Sequence, residues 1–189
     1  MCGICGLLSD KEILEDQQDL FEKMSSRQIH RGPDANDVHF FKYGFIANQR
    51  LAIIDVDMGN QPFFSDDKQV SVVQNGEIFN FIELRQQLKN KGYEFKTQSD
   101  TEVILNLYLD SGLNALSSLN GMFAIAIWDQ RIEKLYLIRD RVGEKPLYFT
   151  NNTKGFYFAS EIKALLPTLA SKNISKQARK NSDILELLA

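Results

Sequence analysis

Cysteine at position 2 heads a short, small and apolar segment, residues 2–8, and no other feature constrains the fold as strongly. The segment suits a buried first strand, which would hold the Cys2 side chain at a strand end. Once Met1 is removed, as is common before a small residue, Cys2 carries a thiol and a free α-amine on one Cα. Their reference pKa values are about 8.5 and about 7.7–8.0, so moving a proton from sulfur to nitrogen costs only about 1 kcal/mol. Nucleophile and base then come from one residue, without a separate histidine.

Length and composition bound the class. A chain of 189 residues fits one domain, which at this size buries roughly 70% of its unfolded surface. With 43% hydrophobic and 25% charged residues, it has the composition of a soluble globular protein. The net charge of -3 argues against nucleic acid as a partner, since phosphate binding needs a concentrated basic surface. A basic cluster at 172–180 reads as a solvated tail. The start lacks the basic and long apolar regions of a secretory signal, and no segment approaches the roughly eighteen apolar residues of a membrane span. The expected location is cytoplasmic. Cys2 and Cys5 form a Cys-x-x-Cys, but there is no second pair, and His30 and His39 are the only histidines. A zinc or redox site is therefore not expected, and Cys5 reads as a small buried hydrophobe.

The patterning predicts an α+β fold. A helix is expected over 15–29, with Leu20, Phe21 and Met24 on one side, and short strands over 38–41, 45–48, 51–55 and 69–74. After Asn75-Gly76 the period changes to about 3.6, with Phe81, Leu84 and Leu88 on a helix that ends at Gly92. Ser99 and Glu102 form a capping-box pattern opening a buried helix over 101–109. Residues 121–128 and 135–139 read as a hairpin, followed by a strand over 156–160 and a short helix ending at Pro167.

Four segments could carry chemistry. Arg31-Gly32-Pro33-Asp34 reads as a tight polar turn. Arg50 is either a solvated arginine or an anion clamp. Asn75-Gly76-Glu77 is either a glycine turn or an oxyanion hole built from an amide side chain and a bare backbone N–H. Asp100 favours the start of its helix by charge and dipole, and could equally hold an ammonium group. Together they would fit glutamine: Arg50 on its α-carboxylate, Asp100 on its α-ammonium, Asn75 and Gly76 on its side-chain amide, and Cys2 attacking that amide.

The motifs MCGICG, RGPD at 31–34, RLAIID at 50–55, Gln61-Pro62, NGEIFN at 75–80, SDTEVI at 99–104, GMFAIAIWD at 121–129, RDRVGEKPLYF at 139–149 and FASEIKAL at 158–165 resemble the glutaminase domain of glutamine-dependent asparagine synthetases. The resemblance implies the class II glutamine amidotransferase fold of the N-terminal nucleophile hydrolases, a four-layer α/β/β/α sandwich. It further implies Cys2 as nucleophile, Arg50 as carboxylate clamp, Asn75 and Gly76 as oxyanion donors, and Glu77 and Asp100 as ligands of the glutamine amine. Leu51, Ala52, Ile53 and Ile54 would line the glutamine pocket. Residues 31–34 and 139–145 are expected to be structural near the site. Many relatives place a histidine two residues before the clamp arginine, where this chain has Asn48.

The same family continues into an ATP-pyrophosphatase domain with a Ser-Gly-Gly-x-Asp-Ser loop, which these residues do not contain. The expected division is a glutaminase domain over 1–167 and the start of a linker over 168–189. The chain would then be a fragment, a truncated reading frame or a stand-alone domain. No cofactor is expected for glutamine hydrolysis; ATP and Mg2+ belong to the synthetase half, the implied partner and ammonia acceptor. A homodimer stays open. So do two rivals: a glutaminase serving another acceptor, as in amidophosphoribosyltransferase or sugar amidation, and a non-catalytic regulatory module.

Overall fold

The computed structural model of the chain describes residues 1–12, 17–169 and 185–188. Its centre is β1 (Gly3–Leu8), buried at every position. It is paired antiparallel with β3 (Gly44–Arg50) on one side and β9 (Gly155–Ala159) on the other. With β2 (Ala35–Phe41) and β8 (Tyr148–Asn152) at the edges, the first sheet runs β2-β3-β1-β9-β8. The second sheet is built on β5 (Val70–Ile78), β6 (Gly121–Asp129) and β7 (Lys134–Arg139). Its edges are β4 (Phe63–Phe64) and β10 (Leu185–Leu188).

Side-chain alternation turns these two sheets into four layers. Ile4 and Leu8 of β1, Ile46 of β3 and Phe158 of β9 meet Val73, Ala124, Ala126 and Trp128 of the second sheet in a core between the sheets. The opposite parity of β1, Cys5 and Leu7, packs on Phe21 and Met24 of α1 (Gln17–Ser26) and on Ala164 and Leu165 of α4 (Ile162–Leu165). The outer face of the second sheet, including Val72, Ile78, Ile125 and Ile127, is covered by α2 (Phe81–Asn90) and α3 (Asp100–Ser111). The order is helix, sheet, sheet, helix. Because residues 2 and 5 differ in parity, Cys2 and Cys5 fall on opposite faces of β1, which removes the Cys-x-x-Cys reading on geometric grounds.

Three expectations change. The strand expected at 51–55 is a loop, because Arg50 turns its carbonyls inward: Nη1 donates to Val56 O (2.9 Å), and Nη2 to Ile54 O (3.3 Å) and Asp55 O (2.7 Å). Carbonyls aimed at a guanidinium cannot also join a ladder. Half of the capping box forms. Ser99 Oγ accepts from Thr101 N at 3.2 Å, but the Glu102 carboxylate takes the N–H groups of Lys96 and Thr97 and the Thr97 hydroxyl. The first helix ends at Ser26 rather than 29, and a 3-10 turn over Ile29–Arg31 follows it; residues 13–16 lie outside the described residues. Of the segment expected as linker, 170–184 and 189 also lie outside them, while Leu185–Leu188 pairs with β7.

The sheets are tied by a face-to-face stack of Trp128 on Phe41, with centroids 4.1 Å apart and planes 7° apart. Trp128→Ala should cost about 3–5 kcal/mol of stability through lost contact and a cavity, read as a shift in the denaturant midpoint. A loss below about 1 kcal/mol would show that this core does not hold the sheets together.

Candidate active site

The register of β1 on β3 pairs Gly3 with Gln49 and Ile4 with Asn48. One step further places Cys2 opposite Arg50, on the face that looks toward the second sheet. On β5, Asn75 shares the inward parity of Val73, so the two sheets bring thiol and amide toward each other. They meet at a cavity of about 80 Å³ lined by Met1, Cys2, Arg50, Leu51, Ile53, Ile54, Asn75, Gly76, Glu77 and Asp100, together with Gly59, Gln61, Ser99, Met122 and Lys145. Every expected site residue except Ala52 is on that wall. Ala52 instead donates its N–H to Asp34 Oδ2 at 2.8 Å, which fixes the loop from outside.

Cys2 Sγ accepts the Leu51 N–H at 3.4 Å. Burial pushes the thiol pKa up; the Leu51 contact, the positive chain terminus and Arg50 pull against that, and Asp100 adds to it. On balance the surroundings of Cys2 favour the protonated thiol. Cys5, buried on the other face, has its pKa pushed up to about 12 by desolvation.

Gly76 lies where a side chain cannot. Its φ is 150°, and an added Cβ would stand 2.0 Å from the Met122 carbonyl oxygen. The backbone beside Asn75 thus stays bare and faces the cavity.

Two charges line the cavity without an ionic partner among the described residues. Arg50 is only 5% exposed, and its terminal nitrogens meet neutral acceptors alone, the three loop carbonyls and Asn60 Oδ1 at 2.6 Å. Asp100 is equally buried, at 5%. Its Oδ2 accepts from Ile78 N (3.0 Å) and Gln74 Nε2 (3.1 Å), and burial raises its pKa. A buried charge met only by neutral dipoles is costly. Here two of opposite sign border one small space.

Several further residues shape the site without having been given a chemical role. Arg31, in the turn expected to be structural near the site, donates from Nε to the Cys2 carbonyl at 2.9 Å and from Nη1 to Glu161 at 3.0 Å. Gln61 Oε1 accepts from Gln74 N (2.6 Å) and from Asn48 Nδ2 (3.2 Å). Asn48 thus bridges the sheets, with a second bond to Gln74 O at 2.9 Å. Lys145 Nζ lies 3.3 Å from Met1 Sδ and 3.0 Å from Met122 Sδ. A buried glutamine inside the apolar strand VSVVQ was the one available hint for Gln74. Among the described residues no group of three His, Cys, Asp or Glu side chains could hold a metal ion.

A thiol at a strand start between two facing sheets, with helices outside, defines a class, and comparison with known proteins agrees. The family model described as a glutamine amidotransferase domain matches residues 1–185, and the chain belongs to that family. Its fold is that of the class II amidotransferases among the N-terminal nucleophile hydrolases. The structure of glutamine phosphoribosylpyrophosphate amidotransferase from Bacillus subtilis, complexed with ADP and GMP, matches with a TM-score of 0.71 at 28% identity. That match covers 87% of this chain and 43% of the other. Among curated proteins, the glutamine-hydrolyzing asparagine synthetase 1 of Bacillus subtilis is 41% identical over 180 residues, 94% of this chain and 28% of that protein. Asparagine synthetase 2 of Arabidopsis thaliana is 40% identical over 166 residues, 87% and 28% of the respective lengths. The chain thus spans little more than a quarter of these relatives.

The geometry separates the two cysteines chemically. Brief alkylation of the native protein with iodoacetamide, followed by peptide mapping, should modify Cys2 and leave Cys5 untouched until the protein is unfolded. Equal labelling of both in the native state would contradict the burial of Cys5 on the helix side of β1.

Proposed function

We propose that the chain is the glutaminase unit of a glutamine-hydrolysing asparagine synthetase, releasing ammonia for amidation of aspartate. The observation that carries this reading is the pair of buried, ionically unpaired charges beside the thiol. An α-amino acid is a zwitterion, and Arg50 and Asp100 suit its carboxylate and its ammonium, with Glu77 beside the ammonium. Leu51, Ile53 and Ile54 would cover the aliphatic part of the side chain.

The chemistry then follows from what each residue can do. The Cys2 α-amine, free after loss of Met1, takes the thiol proton that burial otherwise retains. The sulfur attacks the glutamine δ-carbonyl, and the charge developing on oxygen meets the Asn75 amide and the Gly76 N–H. The amine returns its proton to the departing nitrogen, so ammonia leaves and a γ-glutamyl thioester remains. Water hydrolyses the thioester to glutamate and restores the thiol. Met1 supports this order of events by its position, since it occupies the cavity wall and touches Lys145; its removal both frees the amine and enlarges the space.

No metal or cofactor is assigned to hydrolysis. ATP and Mg2+ belong to a synthetase half, the proposed ammonia acceptor. Its aspartyl acceptor is favoured over a phosphoribosyl or sugar acceptor by the higher identity to asparagine synthetases than to the phosphoribosylpyrophosphate enzyme.

Steady-state kinetics separate the roles. Asn75→Ala should lower kcat by about 10²- to 10³-fold, whereas Asp100→Asn should chiefly raise KM for glutamine, by about 2–5 kcal/mol if the ammonium pair is desolvated. Asn75→Ala acting on KM alone would overturn the oxyanion assignment. A pH profile adds a sign. Asp100 must be ionised to hold an ammonium, and its pKa is raised by burial, so KM should climb as pH falls through a range above that of ordinary carboxylates. Asp100→Asn should lose this acid limb.

Incubation with glutamine, aspartate, ATP and magnesium tests the division of labour. Glutamate and ammonia should form, without asparagine or pyrophosphate; either of the latter from this polypeptide alone would contradict the proposal.

A further inference from the structure

Ser160 directly follows the last residue of β9 and is fully buried, at 0% exposure. It closes a reciprocal pair with the nucleophile strand two residues past Cys2. The Ser160 N–H donates to the Ile4 carbonyl at 2.8 Å, and the Ile4 N–H donates to Ser160 Oγ at 2.9 Å. At the point where β9 ends, the hydroxyl replaces the carbonyl that would have continued the ladder.

The same oxygen reaches the other sheet. Asn75 Nδ2 donates to Ser160 Oγ at 3.4 Å, across 85 positions of sequence. The two lone pairs of the hydroxyl are thus shared between the strand of Cys2 and the amide of Asn75. Asn75 Oδ1, by contrast, is buried without a hydrogen-bond partner. An amide turned by 180° has almost the same shape, so packing alone does not choose which end faces the cavity. Nor does the Ser160 hydroxyl, which accepts from Nδ2 here but has a proton to donate to Oδ1 in the flipped amide; what it fixes is where the amide lies. With one N–H held by Ser160, the second remains for the cavity.

We propose that Ser160 is a positioning residue that ties the Asn75 amide to the strand carrying Cys2 and so holds it at the distance an oxyanion needs. This rests on the reading of Asn75 as an oxyanion donor. Ser160 touches neither substrate nor sulfur; it sets the distance between the two groups that do.

A double-mutant cycle on glutamine hydrolysis tests the proposal with Ser160→Ala, Asn75→Ala and the pair. Loss of one hydrogen bond that matters only as charge develops should lower kcat roughly tenfold and leave KM within about twofold. In the Asn75→Ala background, Ser160→Ala should change kcat by less than about twofold, because the group it holds in place is gone. Ser160→Cys, with similar volume and a weaker acceptor, should fall between the parent and Ser160→Ala, and it carries the same cycle should Ser160→Ala fail to fold. Equal losses in both backgrounds, or a rise in KM alone, would overturn the proposal, reducing Ser160 to a residue that supports the strand end. An Asn75→Ala protein with unchanged kcat would instead overturn the oxyanion reading itself, and the role of Ser160 with it.

Discussion

Everything in the site depends on β1 being paired along both edges. A terminal strand at the rim of a sheet would leave residue 2 in solvent; between β3 and β9, with a core on each face, it delivers Cys2 to the space between the sheets. The alternation of side chains then assigns the chemistry. Even positions of β1 look toward β5 and its Asn75, and odd positions look toward α1, where Cys5 is an inert packing group. One strand thus places one sulfur at the cavity and the other in the helix-side core three residues away.

The second constraint is electrostatic. The protein holds Arg50 and Asp100 out of water and satisfies each with neutral groups, an arrangement that costs stability in the absence of a ligand. Loop carbonyls orient the guanidinium, and Ile78 N–H with the Gln74 amide orients the carboxylate. These dipoles fix the direction of each charge without neutralising it. A zwitterionic ligand would replace the missing countercharges, and this is the physical content of the amino-acid specificity we propose. Arg50 has a double role in this account. The group expected to hold a carboxylate also folds residues 54–60 around itself, so binding and loop structure are coupled at one side chain.

Much of this was legible in the sequence because it is local. Period-two runs located β1, β3, β5, β6 and β7, and apolar stripes located α2 and α3. Cys2, Asn75 to Glu77 and Asp100 stood out as candidates because they fall at the start of β1, near the end of β5 and at the start of α3. Residues 51–55 misled because Leu-Ala-Ile-Ile has the composition of a strand, while the force that bends it comes from the Arg50 side chain. The edge strands β4 and β8 were missed because one is two residues long and the other mixes Thr and Asn into its run. The partners of Gln61, Arg31 and Ser160 were not legible for a different reason. Each acts across long sequence separations, between sheets or between strand and helix, and no pattern along the chain encodes which buried polar groups will meet.

The central claim is that the α-amine of Cys2 activates its own thiol. Intact-mass spectrometry can sort preparations by the fraction of chains that have lost Met1, and glutamate release can be measured on each. The account predicts that activity is proportional to the fraction beginning at Cys2, and that chains retaining Met1 hydrolyse no glutamine although their fold and Cys2 thiol are intact. Full activity from chains that keep Met1 would contradict it.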